Sequence, residues 1–228
     1  MSWSFGIITD GSAPERMQEV ITSIRDEVIL EHELIVVGGE PIEGVVHVPH
    51  DETIGLPMWI TRKKNLITQY AKYHDIVYMH DYLALEPGWL SGFERFGDDW
   101  DVCMTKMVRP DGSRYRDWAL DPYAVGGGWL LPYDVCDLSE YQYLSGAYWC
   151  AKKHVMQEFP LDESLPASRG EDILWSRQVN RKYKFSMNPY STVQLLKDKD
   201  PVFVDAPKEL IDKLRKNRPT RGAWNGRE

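Results

Sequence analysis

Cysteine is scarce in this chain: only Cys103, Cys136 and Cys150 occur among its 228 residues. Their odd number and wide spacing exclude a disulfide framework and a zinc site of the CxxC kind, so reduced core residues are expected. No apolar run approaches the roughly 18 residues that a membrane span requires. The opening MSWSFGIITDG also lacks the basic segment and long apolar stretch of a secretory signal. A soluble, cytoplasmic protein is the expectation. Excess positive charge is missing too: 27 Lys and Arg stand against 35 Asp and Glu, for a net charge of −8. That balance repels a nucleic-acid backbone, which argues against nucleic acid as a partner. The segment KELIDKLRKNRPTRG is locally basic, which leaves peripheral contact with a membrane surface open. Internal repeats and low-complexity tracts are absent.

What is present is 43% apolar residues, of which many are aromatic, enough for one well-packed domain of 228 residues. The first 80 residues alternate strand and helix patterns. SFGIIT, residues 4–9, is a short apolar run ended by Asp10-Gly11-Ser12, and residues 14–28 carry Met17, Val20, Ile21 and Ile24 at helical spacing. Leu34 to Val37 reads as a strand covered on both faces, and VVHVP, residues 45–49, as a third. A helix is predicted over 57–73, opened by Pro57, with Ile60, Leu66, Ile67, Tyr70 and Ala71 inward. The strand IVYM follows. Such alternation predicts an α/β fold with a mainly parallel sheet and right-handed crossovers, whose ligands bind outside the carboxyl ends of the strands.

His80-Asp81-Tyr82 stands at such an end. A carboxylate beside a histidine at a strand tip can bind a divalent cation of the Mg2+ or Mn2+ type; equally, Asp81 can simply cap the following turn. Asp10, ending the first strand, is placed to contact a nucleotide or to make an ordinary turn. Arg62, Lys63 and Lys64 lie in a helix near the crevice, where one of them can reach a diphosphate or all can form a solvated face. DVCMTKMV is a predicted strand. The segment from Arg109 to Asp134 is long, loop-rich and aromatic, with three consecutive glycines, and is expected to be an acceptor or lid loop; Trp129 after the glycines is its predicted acceptor contact. YQYLSGAYWCAKKHVMQEF predicts a strand, a tight turn and a helix, and GEDILWSRQVNRKY a helix with acids in its first turn. KFSMNPYSTVQLL and an amphipathic helix near 207–217 complete the chain.

The order of these motifs resembles the nucleotide-sugar glycosyltransferases with the GT-A fold, in particular the inverting family 2 group. HDY followed by PGWL matches the family's cation-binding triplet and its following turn. Ser145-Gly146-Ala147 matches the turn that floors the acceptor site. Leu161-Asp162-Glu163 followed by Gly170-Glu171-Asp172 matches the segment that ends in the catalytic aspartate. The resemblance covers residues 4–195 and implies a GT-A type sheet with a smaller mixed acceptor-side sheet. It implies a nucleotide-binding half over about 1–100, an acceptor half over about 101–205 and a C-terminal helix and tail over 206–228. It also implies a donor of the UDP or GDP sugar type, Mn2+ or Mg2+, and a saccharide or other hydroxyl acceptor. Asp172 would be the base and Glu171 would orient donor sugar or acceptor; Asp81 and His80 would hold the cation; Asp10, Glu40, Arg62 and Lys63 would meet the donor; Gly146 would meet the acceptor. The chain departs from the family in having one carboxylate in the triplet and TDGS after the first strand. No late histidine ligand is evident, and Gln194 or Lys197 stands where one would sit. A retaining transferase on the same fold and a non-catalytic saccharide-binding module remain alternatives.

Overall fold

The computed structural model describes residues 2–56, 58–166, 169–200 and 203–218. Strand β1 (Trp3–Ile8) is buried along its whole length, as its unbroken apolar run predicts. Helix α1 (Pro14–Glu27) opens on its proline and buries Met17, Val20, Ile21 and Ile24. Strands β2 (His32–Val37) and β3 (Val46–Val48) follow, each parallel to its neighbour.

Helix α2 (Ile60–Tyr70) begins later than 57, because Met58 and Trp59 take left-handed φ values of 62° and 23° before it; Pro57 lies outside the described residues. Its buried face also differs from expectation. Ile60, Ile67 and Ala71 are inward, but Leu66 is half-buried and Tyr70 is 52% exposed, whereas Lys63, Lys64 and Asn65 are buried. The reason is that the polar ends of these three find backbone oxygens inside the protein. The helix presses close to β1: a Cβ on Gly6 would lie 2.1 Å from the Ile67 side chain. Only glycine permits that approach, and it brings the lysines to the end of β1.

Strand β4 (Asp75–His80) is followed directly by β5 (Leu83–Leu85), which sequence patterning did not reveal, and then by α3 (Trp89–Phe96) and β6 (Val102–Val108). The glycine-rich segment is no free lid. It folds into β7 (Trp118–Leu120), a single turn α4 (Pro122–Val125) and β8 (Trp129–Leu130). The predicted strand, turn and helix around Ser145-Gly146 contain two strands, β9 (Gln142–Leu144) and β10 (Tyr148–Lys152), before α5 (Lys153–Glu158). Helix α6 (Glu171–Val179), β11 (Phe185–Leu195), β12 (Val204–Asp205) and α7 (Lys208–Lys216) complete the fold. The tail over 219–228 lies outside the described residues.

The eight-stranded sheet runs β3-β2-β1-β4-β10-β6-β11-β5. It is parallel from β3 to β4 and again between β6 and β11, with β10 antiparallel to both its neighbours. A smaller sheet runs β12-β8-β7-β9. The Ser145-Gly146-Ala147 turn therefore carries the chain from one sheet to the other. Trp3, Trp89, Phe93 and Trp100 pack ring against ring in the main core, with Trp3 and Trp89 centroids 5.1 Å apart. Among the described residues no helix is long and apolar enough to cross a membrane.

Candidate active site

The carboxyl ends of β1, β4 and β11 and the start of β10 meet at one edge of the main sheet, and the small sheet stands over them. Between lies a cavity of about 600 Å³. Thr9, Asp10, His80 and Asp81 enter it from the strand tips, Ser145 to Ala147 from the turn between sheets, and Glu171 and Asp172 from the first turn of α6. Tyr115, Tyr143 and Phe203 form an aromatic wall on the small-sheet side, and Tyr123, 78% exposed, stands at the mouth.

One end of the cavity is acidic. Asp172 accepts the Gly146 amide at 2.8 Å through Oδ2 and the Ile173 amide at 2.9 Å through Oδ1. The turn lies close against the acidic pair: a Cβ on Gly146 would sit 3.2 Å from Asp172 Oδ2 and 3.4 Å from Glu171 Oε1. Glu171 is buried, and burial followed by the charge of Asp172 pushes its carboxyl above the usual range. Beneath the turn lies Lys64, fully buried, its ammonium donating to the Gly146 carbonyl and resting 4.2 Å over the Trp149 ring. Burial lowers its pKa from 10.5 to about 8, partly offset by Glu171 and Asp172.

The other end surrounds the HDY triplet. Asp81, at the tip of β4, accepts the Thr9 hydroxyl at 2.7 Å across 72 residues of sequence. Arg16 donates from Nε to the Asp81 carbonyl at 3.1 Å and holds Nη2 3.8 Å from Asp81 Oδ1. Lys197 and Lys199, just beyond β11, lie over the Tyr82 ring at 4.1 and 4.0 Å, and Lys199 donates to the Tyr82 hydroxyl at 2.6 Å. Burial, then Lys197 and Arg116, lower Lys199 from 10.5 to about 8. His80 keeps part of its ring surface at the cavity wall, yet surrounding protein and the charges of Lys64, Lys199 and Lys197 hold its imidazolium well below the usual pKa. The ring is therefore neutral near neutrality.

The predicted site residues divide accordingly. Asp10, Lys63, His80, Asp81, Gly146, Glu171 and Asp172 come together at the cavity. Lys63, however, is tied down inside it, donating to the Thr9 carbonyl at 2.7 Å and to Glu52. Arg62 turns away and pairs with Glu163 at 2.9 Å. Leu161 and Glu163 are bound by Asn65, so the LDE segment braces α2 and does not enter the cavity. Glu40 is exposed, and Trp129 donates its indole N–H to Gly126 at 2.8 Å; neither lines the cavity. Arg16, Arg116, Lys199 and the aromatic wall were not singled out from the sequence. A Lys-x-Lys pair directly after a long buried strand was the available signal for one of them. A second recess of about 480 Å³, lined by residues including Asn65, Gln69 and Lys153, holds none of the predicted catalytic residues.

A divalent cation requires several oxygen or imidazole donors around one point. Here the predicted donor set is Asp81 and His80. One Asp81 oxygen is engaged by Thr9, and among the described residues no three His, Cys, Asp or Glu side chains converge on a metal position. Four cationic side chains share that end of the cavity. The set does not fit a resident Mg2+ or Mn2+.

No protein-family model matches the chain, and no curated protein matches it. Among solved structures it superposes on GalNAc-T7 with UDP, GalNAc and Mn2+, with a TM-score of 0.62 and 12% identity. The superposition covers 94% of this chain and 48% of that one, so the chain spans about half the length of that neighbour. The likeness is one of fold: the chain has a GT-A type α/β architecture, a large mostly parallel sheet with a smaller second sheet.

Proposed function

We propose that the cavity transfers a sugar from a nucleotide diphosphate sugar, with UDP or GDP as the nucleotide, to a hydroxyl of a saccharide or similar acceptor. The observation that carries this reading is convergence. The tips of β1 and β4, the Ser145-Gly146-Ala147 turn and the Glu171-Asp172 pair are separated by long stretches of sequence, yet all line one cavity on the edge of a GT-A type sheet. The fold shared with a UDP-bound glycosyltransferase supports the same donor class.

In the proposed reaction the acceptor hydroxyl attacks the anomeric carbon. Asp172 takes the hydroxyl proton, the new carbon–oxygen bond forms, and the bond from the anomeric carbon to the diphosphate oxygen breaks with its electron pair leaving on the diphosphate. This displacement inverts the anomeric centre. Its base is fixed in place by two backbone amides, each leaving the carboxylate oxygen a second lone pair for the acceptor. Glu171, beside it and drier, orients the reacting sugars. The aromatic wall gives sugar faces a surface to stack on. Product-anomer analysis tests the stereochemistry: a product retaining the donor configuration would exclude direct displacement. A thermal-shift screen of nucleotide sugars tests the donor class, since a ligand bound only by the folded state raises the melting temperature.

A further inference from the structure

Cationic side chains outnumber carboxylates at one end of the cavity. Arg16, Arg116, Lys197 and Lys199 gather about Tyr82, and among the described residues Asp81 is the carboxylate that meets them there, in a protein whose net charge is −8. Among the described residues no carboxylate pairs with Arg116, Lys197 or Lys199 within 4.0 Å; the two lysines rest on the Tyr82 ring, Lys199 also donating to its hydroxyl, and Arg116 packs near Tyr115 and Phe203 with a long 3.5 Å bond from Nη2 to the Asp200 carbonyl. The Nε of Arg116 is buried with no hydrogen-bond partner. Like charges held this close repel one another, and a buried unmatched N–H is costly. The arrangement is stable at least cost when an anion with several oxygens lies between the cations.

We propose that Lys197, Lys199, Arg116 and Arg16 bind the donor's diphosphate directly and neutralise it as it leaves, in place of a divalent cation. The inference rests on the transferase reading and specifies how that site handles the leaving group. Three observations join in it. The donor set at Asp81 and His80 is too small for a metal. Lys197 stands where a third ligand would be sought in the sequence. Cations face the same end of the cavity from α1, from the segment before β7 and from the segment after β11, and among the described residues only the first of them, Arg16, has a carboxylate partner. As the anomeric carbon–oxygen bond breaks, the electron pair stays on the terminal phosphate oxygen, and the ammonium and guanidinium groups hydrogen-bond the added charge without giving up a proton. Asp81 keeps its bonds to Thr9 and Arg16 and holds Arg16 at the cluster.

Calorimetric titration of the full chain with inorganic pyrophosphate, UDP and GDP, first in EDTA and then in Mn2+, tests this. Binding in EDTA is expected, changed by less than about twofold on adding Mn2+. The Lys197→Met, Lys199→Met double variant should weaken it by about 30-fold or more, and Arg116→Gln by about 10-fold, with melting temperatures recorded to verify folding. Binding that appears only with Mn2+ and is lost in Asp81→Asn would overturn the cationic clamp while leaving the transferase reading in place. If none of the three probes binds in either buffer, the transferase reading falls and the clamp with it. The wild-type titration in EDTA decides the point even if a variant does not fold.

Discussion

The two ends of the cavity satisfy their charges in opposite ways. At the acidic end Asp172 and Lys64 are bound to the protein's own backbone: Asp172 to two amides, Lys64 to the Gly146 carbonyl. At the cationic end Lys197 and Lys199 rest on one tyrosine and Arg116 keeps an unmatched N–H. Internal satisfaction fixes a side chain in one geometry, which suits a base that must meet a reacting hydroxyl. Incomplete satisfaction leaves hydrogen-bonding capacity for a ligand that carries its own charge.

The largest effect that can sharpen this contrast is expected at the acidic end. Asp172→Asn should lower the transfer rate by roughly 100- to 10,000-fold while nucleotide affinity is maintained. An equal loss of both would mean that the two ends do not divide chemistry from donor binding. Steady-state rates and calorimetry on the same preparation give the answer.

Lys64 provides a second test, of about 3 kcal/mol, because its pKa falls from 10.5 to about 8 on folding. A lysine whose folded pKa is depressed destabilises the fold fully below about pH 8. The cost is relieved as pH rises toward 10.5, since there the unfolded chain binds the proton that the folded one has lost. Lys64→Met should be neutral or stabilising near neutral pH, and its advantage over wild type should shrink between pH 8 and 10.5. Urea denaturation across that range measures it. A constant difference would show that the ammonium is better compensated than its burial implies.

Smaller effects belong to the cationic end and to the helix outside it. Tyr82→Phe removes the hydroxyl that accepts from Lys199 and should cost about 1 kcal/mol of stability, while the ring beneath both lysines remains. A cost of several kcal/mol in thermal unfolding would mean that the lysines are structural after all. Arg62→Gln breaks only a half-exposed pair with Glu163 and should change stability by less than about 1 kcal/mol. A larger loss in the same melts would give α2 a dependence on that contact that its exposure does not predict.

The backbone elements of the first half were legible because each rests on local pattern. The apolar runs of β1 and β2 and the spacing of Met17, Val20, Ile21 and Ile24 all recur in the structure. Patterning failed where tertiary contact reverses the usual placement of a residue type. Lys63 and Lys64 read as a diphosphate contact or a solvated charged face and are core, because Thr9, Glu52 and Gly146 supply acceptors from distant parts of the chain. The glycine-rich segment read as an acceptor or lid loop and folds in part into a sheet, since β7, β8 and β9 pair through partners that a local window does not contain. Arg62 and Lys63 are adjacent in sequence yet point to different surroundings, as neighbouring positions on a helix must.

By itself the sequence determined the α/β alternation, the strand-end position of His80 and Asp81, and the acidic start of α6, since these depend on residues a few positions apart. Only the tertiary structure decided that Thr9 would hold Asp81, that Gly146 would lie against Asp172, and that Lys197 and Lys199 would share a cavity end with Arg16 and Arg116. Charge compensation depends on distance in space, and that distance is set when the sheet edge and the small sheet close around the cavity.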